Sequence, residues 1–594
     1  MSYDTLKVEA GRERIDVAIF KQRGCSLTFG VSPCSGTGEN CTNCWETCKD
    51  TDSFTVTENP IKFISGTADC PPGYIPFLGK NAVTFDPGDI TPEDGIGKVG
   101  SITIKVMDAP HDDVGLDPYV GTRGFNALDR GTLWPRLRAR YPNWQGIEVE
   151  WYSGYMHAPF DLANLKKRTY IVERIDGFGR KEGVSIVAKD PLKLADANRS
   201  VWPRKSTGVL AEALTDVATP TTLDITTTDD TEYALDVYEA ASAVNIQGEV
   251  FQYTGYTIMT GGVRLTGVTR GAPAPYVTAA AAHDIGDEVQ KCAYFDTMKA
   301  PDCIRRLLTL GAGVDAAYID YTAWEDVFDT WLAGQRLTRL ICEPIGVNEL
   351  VSDVLQQSGG WGLWWDDVAL EIRYDVIRPA GLEEPVTPID DESNIAADSI
   401  VISDDPDRLI NDAIIYYGEI DPTQDADSTS NYRNAVRSLD LDSISANEVG
   451  SRRIKTIFAR WHAAANRGEI VEIADRLVQW RGTIAVKVEF SLDRKDDDLQ
   501  TGDFVDVRTN ALRDVFGNPR TIRARVTKVD NAGERIKYLA REDFASTRYA
   551  MWAPDSITLG TTWATATEAQ KMQYMFWSDS QGLYSDGTTG KRWY

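Results

Sequence analysis

Five of the nine cysteines fall within two dozen residues, at Cys25, Cys34, Cys41, Cys44 and Cys48. Thiols crowd together in a disulfide scaffold, a zinc site or an iron–sulfur cluster, and each of these dictates the local fold. The intervals of nine, seven, three and four residues hold one CxxC, Cys41 to Cys44, with no second CxxC facing it across a zinc-ribbon loop. The four histidines, His111, His157, His283 and His462, lie far from the segment, which argues against a Cys₂His₂ or Cys₃His finger. Cys70, Cys292, Cys303 and Cys342 are scattered, and nine is an odd number. A chain of 594 residues can bury ample core without staples. Its first twenty residues carry charge throughout and lack the apolar run of a secretory signal, so the thiols are expected to stay reduced. The leading reading is therefore four thiolates around an iron–sulfur cluster or zinc. The competing one is a loop with surface thiols and at most one disulfide.

Charge narrows the function classes. The 62 basic and 89 acidic residues give a net charge of −27. Gripping a phosphate backbone requires clustered Lys and Arg, so stable nucleic-acid binding is not expected. An acidic surface that DNA slides past is compatible with this balance, as is simple solubility. The longest apolar runs fall short of the ~18 residues that cross a bilayer, so no stable membrane insertion is expected. By length the chain holds about four domains.

Hydrophobic alternation at period two dominates, and the expected class is mainly β, an α+β multidomain chain. Ser101–Val106, Ile147–Tyr152, Tyr170–Ile175 and Val184–Ala188 form one block of strands. Ile484–Leu492, Phe504–Val507, Ile522–Val529 and Ile536–Ala540 form a second. Helical period appears between them, in Leu350, Val351, Val354 and Leu355, closed by Gly359-Gly360, and in Ile470, Ile473, Ala474 and Leu477. Between Gly208 and Val289 a Thr, Ala and Asp-rich stretch with strands at Glu249–Tyr253 and Val263–Thr266 reads as an inserted small β module. The tail from about Trp552 is rich in aromatics and short of aliphatics, the composition of a partner interface or of a segment folded back on its own domain.

Motifs for catalysis fail on context. Gly95-Ile96-Gly97-Lys98-Val99-Gly100 fits GxGxxG, but a strand follows where a dinucleotide fold needs a helix. The acidic run 421–431 lacks the Gly and terminal Glu of an EF-hand. With four dispersed histidines no His-centred catalytic group is supported, and carboxylate pairs are too numerous to be specific. No enzyme is expected.

The cysteine segment nevertheless resembles a known one. Cys25 and Cys34, then Cys41, Asn43, Thr47, Cys48 and Asp50, match the pattern C-x8-C, a variable loop, then C-x-N-x3-T-C-x-D. That pattern belongs to tail-tip and baseplate hub proteins of long-tailed (siphovirus) phages and related gene transfer agents. Less specific stretches in the same order resemble the same proteins, among them Gly131–Trp134 with Arg136 to Tyr141, Ala188–Leu192, Val347–Leu355, Gly362–Asp366, Arg408–Asn411, Asn431–Arg433 and Gly502–Val505.

The resemblance implies a structural, trimeric hub that closes the tail tube and forms part of the genome-ejection channel. It also implies a structural iron–sulfur cluster on Cys25, Cys34, Cys41 and Cys48, 4Fe-4S ahead of 2Fe-2S, with zinc as the alternative metal. Cys44 is an extra thiol and an alternate ligand. The implied architecture is a split hub β-barrel with a helical insertion and the inserted small β module. Its expected parts are residues 1–80 (cysteine-rich region), 81–205 (first part of the barrel), 206–295 (β module), 296–400 (α+β insertion), 401–545 (second part of the barrel) and 546–594 (aromatic tail). Implied partners are two further copies, the distal tail protein and other baseplate or tail-tip proteins, the tape measure protein and a central fibre or receptor-binding protein. Genome DNA would pass without sequence-specific binding. The place implied is the virion tail tip, after assembly in the host cytoplasm. A tail-associated cell-wall hydrolase and a redox protein using the cluster are the alternatives.

Overall fold

Alternating residues in the first third of the chain build a sheet that closes on itself. Seven strands take part: β1 (Arg14–Thr28), β2 (Val56–Ser65), β3 (Ile75–Asp86), β4 (Ser101–Val106), β5 (Glu148–Tyr155), β6 (Lys166–Asp176) and β7 (Val184–Lys189). In this computed structural model they run in the order β1-β2-β3-β4-β7-β6-β5, and β5 pairs back onto β1 to complete a barrel. The structure describes residues 3–9, 13–30, 34–36, 38–66, 70–86, 88–90, 96, 100–178, 183–195, 200–228, 242–380, 384–445, 448–531, 535–543 and 563–565. The aromatic stretch beyond Trp552 lies outside these, apart from 563–565.

Strand β1 makes closure possible because it is long and offers both edges. Val17 to Cys25 face Ile64 to Val56 of β2 on one side, and Arg14 to Phe20 face Tyr155 to Val149 of β5 on the other. The inward side chains make one core. Phe20, Phe63, Trp134, Trp151 and Tyr170 are all buried in it, and full burial of such a side chain contributes about 1.5–3 kcal/mol. Helix α1 (Leu133–Arg140) supplies Leu133, Trp134 and Leu137 to the same core, with the Trp134 ring stacked on Phe63 at 5.5 Å. Where β7 starts, Gly183 has φ +93°, and a Cβ there would lie 2.1 Å from the Val106 carbonyl oxygen. Only glycine lets β4 and β7 meet.

The mainly β, multidomain class is what the chain adopts. One expectation is corrected. The two strand blocks do not share a barrel, because β1 and β5 close the first block without help. The second block forms a separate six-stranded sheet, ordered Val386–Asp390, Phe504–Arg513, Pro519–Asp530, Arg535–Glu542, Ala485–Asp493, Val401–Asp405. Alternation reports that a strand has one buried face and is silent about its neighbour.

Between the blocks, the module between residues 209 and 291 comprises two four-stranded sheets around Leu223, Val244, Phe251 and Leu265. Helices at Ala300–Arg306, Tyr321–Trp331 and Val347–Ser358 then pack a core that includes Ile304, Phe328 and Leu350. The last of these helices ends at Gly359 with φ +78°, as its glycine pair predicts.

Polar contacts tie the bodies together. Asp497, in the second sheet's turn, accepts from Lys166 Nζ at 2.9 Å and from Lys7 Nζ at 3.2 Å. Burial pushes the Asp497 carboxyl up, but the Tyr3 hydroxyl and the two ammonium groups outweigh it and hold it below the usual carboxylate range. Arg168, from the barrel, reaches Asp367 at 2.9 Å.

Candidate thiol site

Beyond Phe20, strand β1 runs past the end of β5, leaving its far half with one edge open. The thiol segment fills that edge. Asn40 and Cys41 add as a two-residue strand, with Cys41 opposite Cys25 and Asn40 opposite Thr28. Cys25 thus has Val56 of β2 on one side and Cys41 on the other. Short 3₁₀ turns at Trp45–Thr47 and Thr51–Ser53 return the chain to β2.

Little of this segment is regular structure, so side chains hold it. The Cys34 amide donates to Asp50 Oδ2 at 2.8 Å. Asn43 Nδ2 donates to the Thr47 carbonyl at 3.2 Å, and the Cys44 amide donates to Thr47 Oγ1 at 3.1 Å. Asn43, Thr47 and Asp50, the non-cysteine positions of the matched pattern, are therefore the ones that fold the loop. Arg123 fastens it to the barrel's 113–123 loop. Its guanidinium donates to Asn43 Oδ1 and Thr42 Oγ1, both at 2.9 Å, and to Asp117 Oδ2 at 2.7 Å. The same group lies 3.8 Å over the Phe29 ring. Arg140 also reaches Asp117, at 3.1 Å. Burial pushes the Asp117 carboxyl up, but Arg123 and Arg140 outweigh it and keep it below the usual range. Sequence reasoning missed Arg123 and Asp117, since no spacing rule links residue 43 to residue 123.

The five thiols divide into two groups. Cys34 lies within the electrostatic reach of Cys48 and Cys25, and Cys41 within that of Cys25 and Cys48. Cys44 turns the other way. It is 6% exposed, belongs to the barrel core and donates its S–H to the Arg140 carbonyl at 3.1 Å. All nine cysteines are free.

The donor chemistry of the first group fits thiolate ligation. The Asp50 amide donates to Cys48 Sγ at 3.4 Å, and the Asn43 amide donates to the Cys41 sulfur. At Cys41 burial outweighs the Asn43 bond and pushes the thiol up. Burial, together with Asp50, pushes the Cys34 thiol above its ordinary value, so in the absence of a metal the proton stays on. Among the described residues no three His, Cys, Asp or Glu side chains stand at ligating separation.

Two buried carboxyls elsewhere are pushed up to about 7, each chiefly by burial: Asp190 and Glu419. Asp190 accepts the amides of Gly100 at 2.7 Å and Leu192 at 3.0 Å, and lines a cavity of about 60 Å³. That space holds one or two waters, and the carboxyl is occupied with backbone. Glu419 lines a cavity of about 300 Å³ with Arg339 and Arg460, both of which bind Asp353 at 3.0 Å.

No protein-family profile matches this chain, and no curated protein sequence does. Solved structures align with this chain at low identity. The tail protein from Neisseria meningitidis MC58 is 10% identical over 78% of this chain and 94% of its own, with a TM-score of 0.36. The prophage MuSo2 43 kDa tail protein from Shewanella oneidensis is 10% identical over 78% and 99%, with a TM-score of 0.34. A chain of the native gene transfer agent particle is 13% identical over 58% and 85%, with a TM-score of 0.30. Likenesses this distant assign no function. Among the described residues no helix is long and apolar enough to cross a membrane.

Proposed function

We propose that this chain is a structural component of a phage-type tail tip, a baseplate hub that carries a metal cluster on its thiol loop. The single observation that carries the reading is the division of the thiols. The four cysteines of the matched pattern share one neighbourhood, and the extra one packs into the barrel. The three other matched residues do what a cluster loop needs, fixing its turns through Asp50, Asn43 and Thr47. In this reading Cys25, Cys34, Cys41 and Cys48 hold an iron–sulfur cluster, 4Fe-4S ahead of 2Fe-2S. Its role is structural, because ligation supplies folding free energy to a loop with little ladder of its own.

The protein then resides in the virion at the tail tip, assembled in the host cytoplasm. It works as a trimer with the distal tail protein, the tape measure protein and a central fibre or receptor-binding protein. The net charge of −27 suits a conduit that DNA traverses without adhering. The cell-wall hydrolase reading gains little from the two raised carboxyls, since Asp190 is tied to backbone and Glu419 sits between two arginines.

Anaerobic purification followed by absorbance and metal analysis tests the cluster. A broad visible band and about four irons per chain are expected; zinc alone, or bare thiols, overturns the iron–sulfur assignment. Native mass spectrometry tests the trimer, and labelled antibody on particles tests the tail-tip location. Clearing of peptidoglycan by the purified protein would favour the hydrolase instead.

A further inference from the structure

The β module joins the helical body through two strands, β8 (Ala293–Met298) and β9 (Leu337–Ile341), in which Ala293 faces Ile341 and Tyr294 faces Leu340. One step outward in the same antiparallel register sets Cys292 beside Cys342. Residues facing one another across such a ladder have Cα atoms about 4.5–5.5 Å apart, inside the 4.4–6.8 Å span of a disulfide. Both cysteines are buried, at 0% and 2% exposure, in one cluster with Ala243, Val250 and Leu340. Both thiols are free, and the Cys292 S–H is directed at the Gln290 carbonyl at 4.0 Å.

We propose that Cys292 and Cys342 are a latent disulfide that closes when the protein meets a small-molecule disulfide. Two separate buried cysteines would be small core residues and nothing more. This pair differs because the two cysteines are register neighbours within one packed cluster and because Cys342 lines the cavity of about 300 Å³ beside Glu419, through which a reagent would have to come. The neighbouring Cys292 thiol, burial and the Glu419 and Asp421 charges push the Cys342 thiol up, which slows its attack on a disulfide. In the closing step the Cys342 sulfur loses its proton and attacks one sulfur of the reagent, releasing one small thiol. The Cys292 sulfur, also deprotonated, then displaces the second small thiol. The protein gains one S–S bond and loses two S–H bonds, and the reagent disulfide is reduced to two thiols.

The bond would staple the module's last strand, Val289–Lys291, to the segment that follows β9. Its setting rests on the tail-tip reading, in which a particle built in a reducing cytoplasm is released into oxidising surroundings.

The test uses full-length protein purified in reductant, transferred anaerobically and incubated with oxidised glutathione. It is then unfolded in iodoacetamide and digested with trypsin. The expected product joins the tryptic peptides 292–299 and 340–373, and reductant releases it. The thermal midpoint of the oxidised protein should rise by several degrees. In Cys292→Ser the joined product disappears and Cys342 retains glutathione. The inference is overturned if both wild-type peptides come back fully alkylated, if glutathione stops on Cys342, or if either cysteine is joined only to the N-terminal thiols. A joined pair in a protein absent from tails leaves the staple standing and sinks the tail-tip reading. Alkylated thiols in a protein that completes tails do the reverse.

Discussion

Strand β1 belongs to two regions held together by different means. Its first half, Arg14 to Phe20, has a partner on each edge and apolar neighbours within, and the barrel closes around it. The overhanging half, Lys21 to Thr28, keeps β2 on one edge and has the short strand Asn40–Cys41 on the other. Pro60 of β2 sits opposite Lys21 in this half, where a missing N–H costs least because β2 meets β3 only from Phe63 onward. Burial holds the first half. Arg123, Asn43, Asp50 and Thr47 hold the second. Where a strand outruns its sheet, point contacts take over from area, and the proposed cluster would add to them.

The largest expected effect breaks the overhang alone. Replacing Cys34 by Ser removes one of the four proposed ligands, and metal binding supplies ~10 kcal/mol of folding free energy in zinc peptides. Cys34→Ser should lose its iron and the visible band, and the protein should become insoluble or fail to enter particles while tail length stays unchanged. Normal particles from this variant would refute the structural role. Trp151→Ala attacks the other half. This ring is fully buried, its indole N–H donates to Asp16 Oδ1 at 3.1 Å, and its backbone faces Ala18 of β1. The expected loss is about 4 kcal/mol, read as a shift in denaturant midpoint. The two halves are separable if soluble Trp151→Ala retains iron in proportion to its folded fraction.

The two halves were also unequally legible. Strands of the barrel half announce themselves by alternation: Ser101–Val106 is read and found with the same limits, and Tyr170–Ile175 lies inside a longer strand. Helix Val347–Ser358 was visible in its apolar face and its closing glycines. What stayed hidden is partnership. Nothing in residues 484–540 announces that they pair among themselves, because the turn and the sheet edges decide that. At the thiol site the residues that fix the loop, Asn43, Thr47 and Asp50, were readable from the matched pattern. The clamp was not, since Arg123 meets Asn43 only through the folded loop.

That clamp gives the next prediction. Arg123→Ala strips Asp117 of one partner and frees Asn43 and Thr42, at a cost of about 2 kcal/mol for hydrogen bonds to charged groups. Faster alkylation of Cys41 than of Cys44 would place the damage in the overhang. Asp117 also sets the sign of an acid effect. Its carboxyl is depressed in the folded state, so its contribution is complete above the ordinary value near 4 and is lost as pH falls through the lower folded value. Wild-type protein should therefore expose Cys41 increasingly below about pH 4, and Arg123→Ala should show a weaker dependence. An identical acid profile in both would remove Asp117 from the clamp.

The smallest effect lies on the boundary. Cys44 neighbours the ligand thiols in sequence, yet its sulfur is in the barrel core and its S–H meets the Arg140 carbonyl. Cys44→Ala removes one sulfur from a packed site and one weak hydrogen bond, a loss of about 1 kcal/mol. Iron content and the visible spectrum should match the wild type. Loss of iron with the fold intact would make Cys44 a ligand in place of Cys41. The boundary between the region held by burial and the region of the proposed cluster would then fall inside the 3₁₀ turn at Trp45–Thr47, which follows directly after Cys44.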